Sequence, residues 1–293
     1  MTALTASIAL TYGLLAVSVV ALWLPPIRVA ERFTALPWAI SLMSACVAGA
    51  LNDLVSLSGI ASLALFAILA YSAKATTLRY LRVALLLLTG WMTLALSMHK
   101  FPGFANPAIA SDMLLGHGAP PFTHHLNFDT TAAGIILFAV FCAPARSRKD
   151  WTNVWKQYPI ILGTAAIVLL LGVALHYVSF DPKLVAYTPL FLSCNLLFTC
   201  VTEEAFFRGF MQHQFSLGLR NLKYGRYVAM TVAAVLFGVA HVKGGPMLIG
   251  FATMAGLGYG YAYLRSQRIE ASILTHFTLN AVHFIAFTYP QLS

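Results

Sequence analysis

Ten apolar runs of roughly membrane-crossing length follow one another along this chain of 293 residues, and no other feature narrows its fold so far. A helix needs about 20 consecutive apolar residues to cross the hydrocarbon core of a bilayer. The runs fall at 4–25, 36–51, 54–73, 82–98, 130–145, 158–178, 184–218, 227–242, 245–264 and 271–289. Those at 36–51 and 130–145 are short, so the expected number of crossings is eight to ten. Only 9% of the residues are charged and 59% are hydrophobic, against about 25% charged in a soluble domain. Barrel strands would alternate apolar and polar residues over about ten positions, and these runs do not. The run 4–25 is too long, and lacks the basic start, for a removed signal peptide. The expectation is an all-α polytopic membrane protein.

A net charge of +9 invites a nucleic-acid partner until the basic residues are located. Arg28, Arg32, Lys74, Arg79, Arg82, Arg146, Arg148, Lys149, Lys156, Arg220, Lys223, Arg226, Arg265 and Arg268 all fall in odd-numbered connections. Lys100, Lys183 and Lys243 fall in even-numbered ones, and Arg208 lies inside a run. Cytoplasmic loops collect Lys and Arg, so this fourteen-to-three split expects odd connections in the cytoplasm and both termini outside. The charge is a topology signal, and no nucleic-acid motif accompanies it. The inner membrane of a bacterium fits this pattern, and the bilayer itself is the first expected partner.

The chain is expected to divide at about residue 150. Residues 1–150 hold N-terminal helices and a long connection from His99 to Asp129, rich in Pro, Gly and His; residues 151–293 hold every polar group at membrane depth that looks chemical. His124 and His125 adjoin in that loop, where solvated histidines are the simpler reading than a metal site. Cys46, Cys142, Cys194 and Cys200 lie within runs, as small side chains in helix packing, with no metal or disulfide spacing.

Seven of the nine acids, Glu31, Asp53, Asp112, Asp129, Asp150, Asp181 and Glu270, sit in connections or at run ends. Glu203 and Glu204, in the stretch T-E-E-A-F-F-R-G-F, lie about twenty residues into the run 184–218. A charge at mid-membrane costs at least about 2.5–3.5 kcal/mol, so such a residue faces a partner or a wet cavity. Glu204 and Arg208 are four apart, in the orientation that favours a helical ion pair. That reading leaves Glu203, about 100° around the helix. Elsewhere, Phe237 and His241 share a helical face by their spacing of four, as do His276 and Asn280, with His283 continuing the second face. A carboxylate beside an imidazole can deprotonate water, and a second imidazole with an amide can stabilise an oxyanion. Those are the parts for hydrolysing a peptide bond without a serine or cysteine nucleophile. Two histidines and a carboxylate are also a catalytic zinc set, which would comprise Glu203, His241 and His276.

The motifs E-E-x-x-x-R (Glu203–Arg208), F-x-x-x-H (Phe237–His241) and H-x-x-x-N (His276–Asn280), in this order within 78 residues, resemble those of the CPBP family. Its members are CAAX-processing (Ras-converting-enzyme type) and bacteriocin-processing intramembrane proteases, also called Abi proteins. The resemblance covers about 158–289 and implies a glutamate-type endopeptidase. By it, Glu203 is the general base working with His241, and His276 and Asn280 form the oxyanion-stabilising pair. Glu204, Arg208 and Phe237 support the site, with no metal or other cofactor. The implied substrate is a peptide or membrane protein, prenylated in the Ras-converting branch.

Competing signatures are missing: H-E-x-x-H, G-x-S-x-G and G-x-G-D do not occur. G-L-G-Y-G (Gly256–Gly260) reads as small residues for close helix packing, not as a phosphate loop. The other readings are a non-proteolytic scaffold or bacteriocin-immunity protein, and a proton-relay transporter, for which breaks in both halves would be expected. Two geometric expectations follow from the runs. At ~1.5 Å per residue, His276 and His241 differ in depth by about 12 Å, unless a helix tilts or starts inside the membrane. The run 184–218 is also long enough to break or emerge near Gly209 to Gly218.

Overall fold

The computed structural model of the chain describes residues 5–30 and 33–292. Leu4, Glu31 and Arg32, which entered the span and topology expectations, lie outside the described residues. Every apolar run coincides with a helix: α1 (Ala6–Ala21), α2 (Pro37–Leu51), α3 (Leu57–Ala75), α4 (Arg79–Ser97), α5 (Phe128–Phe141), then a short α6 (Arg148–Trp155), α7 (Tyr158–Ala174), α8 (Thr188–Gly218), α9 (Gly225–Ala240), α10 (Gly245–Ser266) and α11 (Ile269–Ala286). Helix starts follow from local chemistry. The Thr5 and Ser56 hydroxyls accept from the backbone N–H three residues on, and α2, α7, α8 and α10 carry Pro in the first turn, where no N–H is needed. Two short strand pairs, β1 (Ile27–Ala30) with β2 (Phe33–Ala35) and β3 (Ala108–Met113) with β4 (Phe122–His125), lie between helices. The protein is an all-α polytopic membrane protein.

Among the described residues, five helical segments are long and apolar enough to cross a membrane: α3, α4, the continuous α6–α7 segment, α8, and Val242–Ser266. α1, α2, α5 and α9 are shorter apolar helices. Ile68, Leu87, Leu162 and Leu170 are each more than half exposed, an outward apolar face that suits lipid and not water.

Packing divides the chain into two compact units whose sequences interleave. One comprises residues 1–110, 124–142 and 197–206, the other 111–123, 143–196 and 207–293. In the first, α1 packs on α2 and α3 on α4, and α3, α4 and α1 all meet α5. Beyond the Asp129, Thr130 and Thr131 of its first turn, α5 is apolar on all faces because it is buried on nearly every side. A Cβ on its Gly134 would overlap the Cβ of Thr202 and lie 2.7 Å from the Thr202 Cα, so only Gly permits this approach. In the second unit α10 is central, packing on α9, α7 and α11. A side chain at Gly238 of α9 would meet Thr253 and the Ile249 carbonyl of α10. α9 ends at a 3-10 turn, Val242–Gly244, and the chain reverses into α10 at Gly245 with φ 83°, which glycine adopts without steric cost.

The expected break in the run 184–218 does not occur. α8 stays helical to Gly218, but π-helical turns replace α-helical ones at Asn195–Cys200 and Ala205–Gln212. A π turn accommodates an extra residue while keeping backbone hydrogen bonds closed, which a break in apolar surroundings would forfeit.

Candidate active site

The E-E-x-x-x-R motif lies where α8 alternates between helical forms. Val201–Glu204 is one α-helical turn between the two π stretches, and π turns inside α-helices concentrate at functional positions. Glu203 is half-buried; Glu204 and Arg208 are fully buried and Gln212 nearly so. Glu203 and Glu204 belong to the segment 197–206 of the first unit, whereas Phe237, His241, His276 and Asn280 all belong to the second.

Arg208 is held by backbone and aromatic rings. Its Nη2 donates to the Gly256 carbonyl at 3.0 Å. The guanidinium lies 4.8 Å from the Phe237 ring centroid and 5.2 Å from that of Tyr259, within cation–π range. One turn on, the Gln212 amide donates to the Gly260 carbonyl, also at 3.0 Å. The G-L-G-Y-G run therefore is a packing surface, as expected, and it also offers two backbone acceptors to this helix.

His241 and His276 meet in one place. His241 is the C-cap of α9, at the end of its run as the run 227–242 expects, and it lines the same cavity as His276. The Nδ1 of His241 lies 2.8 Å from the Phe237 carbonyl oxygen. A carbonyl only accepts, so Nδ1 carries the proton and, in the neutral ring, Nε2 keeps its lone pair. The Phe237 ring lies 4.7 Å from that of His241 and 5.7 Å from that of His276, nearly perpendicular to the latter. His276 is also stacked on Tyr259, with centroids 4.6 Å apart and planes 16° apart. One turn along α11, the Asn280 amide donates to the Oδ1 of Asn195 at 3.3 Å.

These side chains line a cavity of about 130 Å³. Its polar lining includes His241, His276, Asn280 and His283, and its apolar lining includes Val168, Val178, Leu248 and Phe251. Glu203 is not among its lining residues. One wall is clamped by the C-terminal strand-like tail. Thr288 and Leu292 donate from backbone N–H to the Ser179 and Tyr177 carbonyls, and Lys183 donates to the Phe287 carbonyl, so Tyr177 and Val178 stay at the wall. Burial lowers the Lys183 ammonium from its ordinary value, opposed by Asp181 at 3.7 Å.

Sequence reasoning missed Tyr259 and Asn195. Asn195 carried a signal, an amide inside an apolar run. Tyr259 carried none, because an aromatic residue between glycines is indistinguishable from packing until its neighbour is known. Among the described residues, no three His, Cys, Asp or Glu side chains gather as a metal-binding group.

No curated protein and no solved structure matches the chain. A family model described as type II CAAX prenyl endopeptidase Rce1-like matches residues 185–282, about a third of the sequence. That segment begins just before α8, ends within α11 and contains all three motifs, so over these residues the chain is similar to the Rce1-like CAAX prenyl endopeptidases.

Proposed function

We propose that this protein is an intramembrane endopeptidase that hydrolyses peptide bonds with activated water and no metal. The observation that carries the reading is the convergence of His241, His276 and Asn280, from two separate motifs, on one cavity. In this mechanism Glu203 accepts a proton from water, assisted by the lone pair on the His241 Nε2. The water oxygen bonds to the substrate carbonyl carbon, and its carbonyl becomes an oxyanion. The His276 imidazole and the Asn280 amide donate to that oxyanion, a form of stabilisation typically worth ~10²–10³-fold per donor. Glu203 then returns the proton to the amide nitrogen as the C–N bond breaks, so protons and charge balance. Glu204 and Arg208 orient the helix that carries Glu203. The apolar residues of the cavity lining suit an apolar substrate side chain, and the matched family points to a CAAX-type peptide delivered from the bilayer. The distribution of basic residues supports a bacterial inner membrane with both termini outside.

The test is cleavage of a quenched peptide library, prenylated CAAX peptides included, by detergent-purified protein and by Glu203→Ala, with and without chelator. Cleavage that the substitution abolishes and chelator does not touch is expected. Loss with chelator would replace this mechanism with a zinc one. No cleavage of any peptide by the unaltered protein would favour a non-proteolytic scaffold.

A further inference from the structure

We infer that Tyr259 is a positioning residue for His276, fixing the plane of the imidazole that faces the substrate carbonyl. Tyr259 lies outside all three motifs, in the G-L-G-Y-G run, and is almost completely buried. Its ring is parallel to that of His276 to within 16° at a centroid separation of 4.6 Å, the offset-stacked range favoured by aromatic pairs. Phe237 stands edge-on to both rings, at 72° to Tyr259 and 87° to His276. A ring stacked on one neighbour and blocked at its edge by another cannot tilt without overlapping one of them. Its remaining freedom is a half-turn that leaves the plane unchanged.

Tyr259 is itself held. The Arg208 guanidinium lies 5.2 Å from its centroid. The same helix is tied to α10 through Arg208 to Gly256 O and Gln212 to Gly260 O, three residues before Tyr259 and one after. Glycine at 256 and 260 lets these donors reach the backbone: a Cβ at 256 would lie 3.2 Å from Nη2 of Arg208, and one at 260 would lie 2.9 Å from Oε1 of Gln212. Arg208 on α8 thus reaches the imidazole on α11 through one tyrosine on α10. The inference rests on His276 acting on the substrate, as proposed above.

The experiment compares Tyr259→Phe and Tyr259→Leu with His276→Ala in peptide cleavage, reading kcat and KM separately, beside the NMR shift of the His276 ring protons. Misplacing a catalytic group by about 1 Å costs on the order of 10²-fold. Tyr259→Leu is therefore expected to lower kcat by about tenfold to a hundredfold with KM little changed. Tyr259→Phe, which keeps the ring, should restore kcat to within about threefold and keep the upfield ring-current shift that Tyr259→Leu loses. Unchanged kcat in Tyr259→Leu, with His276→Ala inactive, overturns the positioning role. A Phe variant as impaired as the Leu one also overturns it, since the hydroxyl and not the stacked face would then matter. An active His276→Ala overturns instead the catalytic reading on which it rests.

Discussion

The imidazole of His241 donates from Nδ1 to the carbonyl oxygen of Phe237, 2.8 Å away and one turn back along its own chain. The bond lies where α9 ends, so this carbonyl is one of the four at a helix C-terminus that have no partner within the helix. One contact thus caps the helix and selects the tautomer whose Nε2 can take a proton. His241→Ala should lower kcat by about 10²–10⁴-fold, the range of general acid–base contributions. It should barely change the melting temperature, because the residue is only half-buried and ends its helix. A thermal melt beside the cleavage assay separates the two. A fall in stability matching the fall in rate would make His241 a structural cap alone.

The two asparagines form a coupled pair. Asn280 donates to Asn195, which is itself nearly buried at the start of the first π stretch. If Asn280 presents its other N–H to the oxyanion, Asn280→Ala costs about 10²–10³-fold in kcat. Asn195→Ala costs less, about tenfold, by freeing the amide to rotate. The double variant should then be no worse than Asn280→Ala, since an amide that is gone cannot be misoriented. Additive losses in the cycle would mean that Asn195 acts elsewhere.

Arg208 should not tolerate lysine. Its guanidinium reaches the Gly256 carbonyl while spreading over the rings of Phe237 and Tyr259, a planar arrangement that a point-charge ammonium does not reproduce. Losing a charged hydrogen bond in a fully buried position costs about 1.5–3 kcal/mol, seen as a lower melting temperature for Arg208→Lys in detergent. A Lys variant as stable as the natural chain would show that charge alone is required.

How much of this was legible beforehand depends on the kind of interaction. The ten apolar runs coincide with helices because hydrophobic length is a one-dimensional property. The spacing of four pairs His276 with Asn280, and it survives in α11 because that helix is regular. His241 shares its face with Phe237 by the same spacing, and the run 227–242 ends within two residues of where α9 stops. The π turns flanking Glu203 and Glu204 have no composition of their own, so the run length suggests a break or an emergence at 209–218, and of these the break does not occur. α5 reads as a weak membrane span, but its apolarity serves protein neighbours all round. Tyr259 depends on how three helices are rotated about their axes, which no single run encodes.

The close approach at Gly134 gives a test inside the first unit. An added methyl there would overlap Thr202 side chain and press on its Cα at 2.7 Å, next in sequence to Glu203. Overpacking of this kind typically costs about 1–3 kcal/mol. Gly134→Ala should lower the melting temperature and also reduce kcat, since the turn bearing Glu203 must move. A stable, fully active variant would mean that α5 shifts freely, against its burial on nearly every side.

Acid should loosen the junction between α6 and α11. Asp150 accepts the Ser147 and Arg146 backbone N–H groups at 3.0 and 3.1 Å, closing the capping box of α6, and accepts from the Arg268 guanidinium at 2.6 Å. The Ser147 backbone bond leads these effects, and together they hold the carboxyl well below its ordinary value of 3.8. The folded state therefore binds fewer protons than the unfolded one in this window, so stability rises with pH there. The contribution is fully present above the ordinary value and is lost as pH falls through the lower folded-state value. Asp150→Asn removes it, so the variant should melt earlier at neutral pH and lose less on acidification than the natural chain. Melts in detergent between about pH 6 and pH 3 read both slopes. Parallel curves for the two proteins would assign the acid sensitivity to other carboxylates.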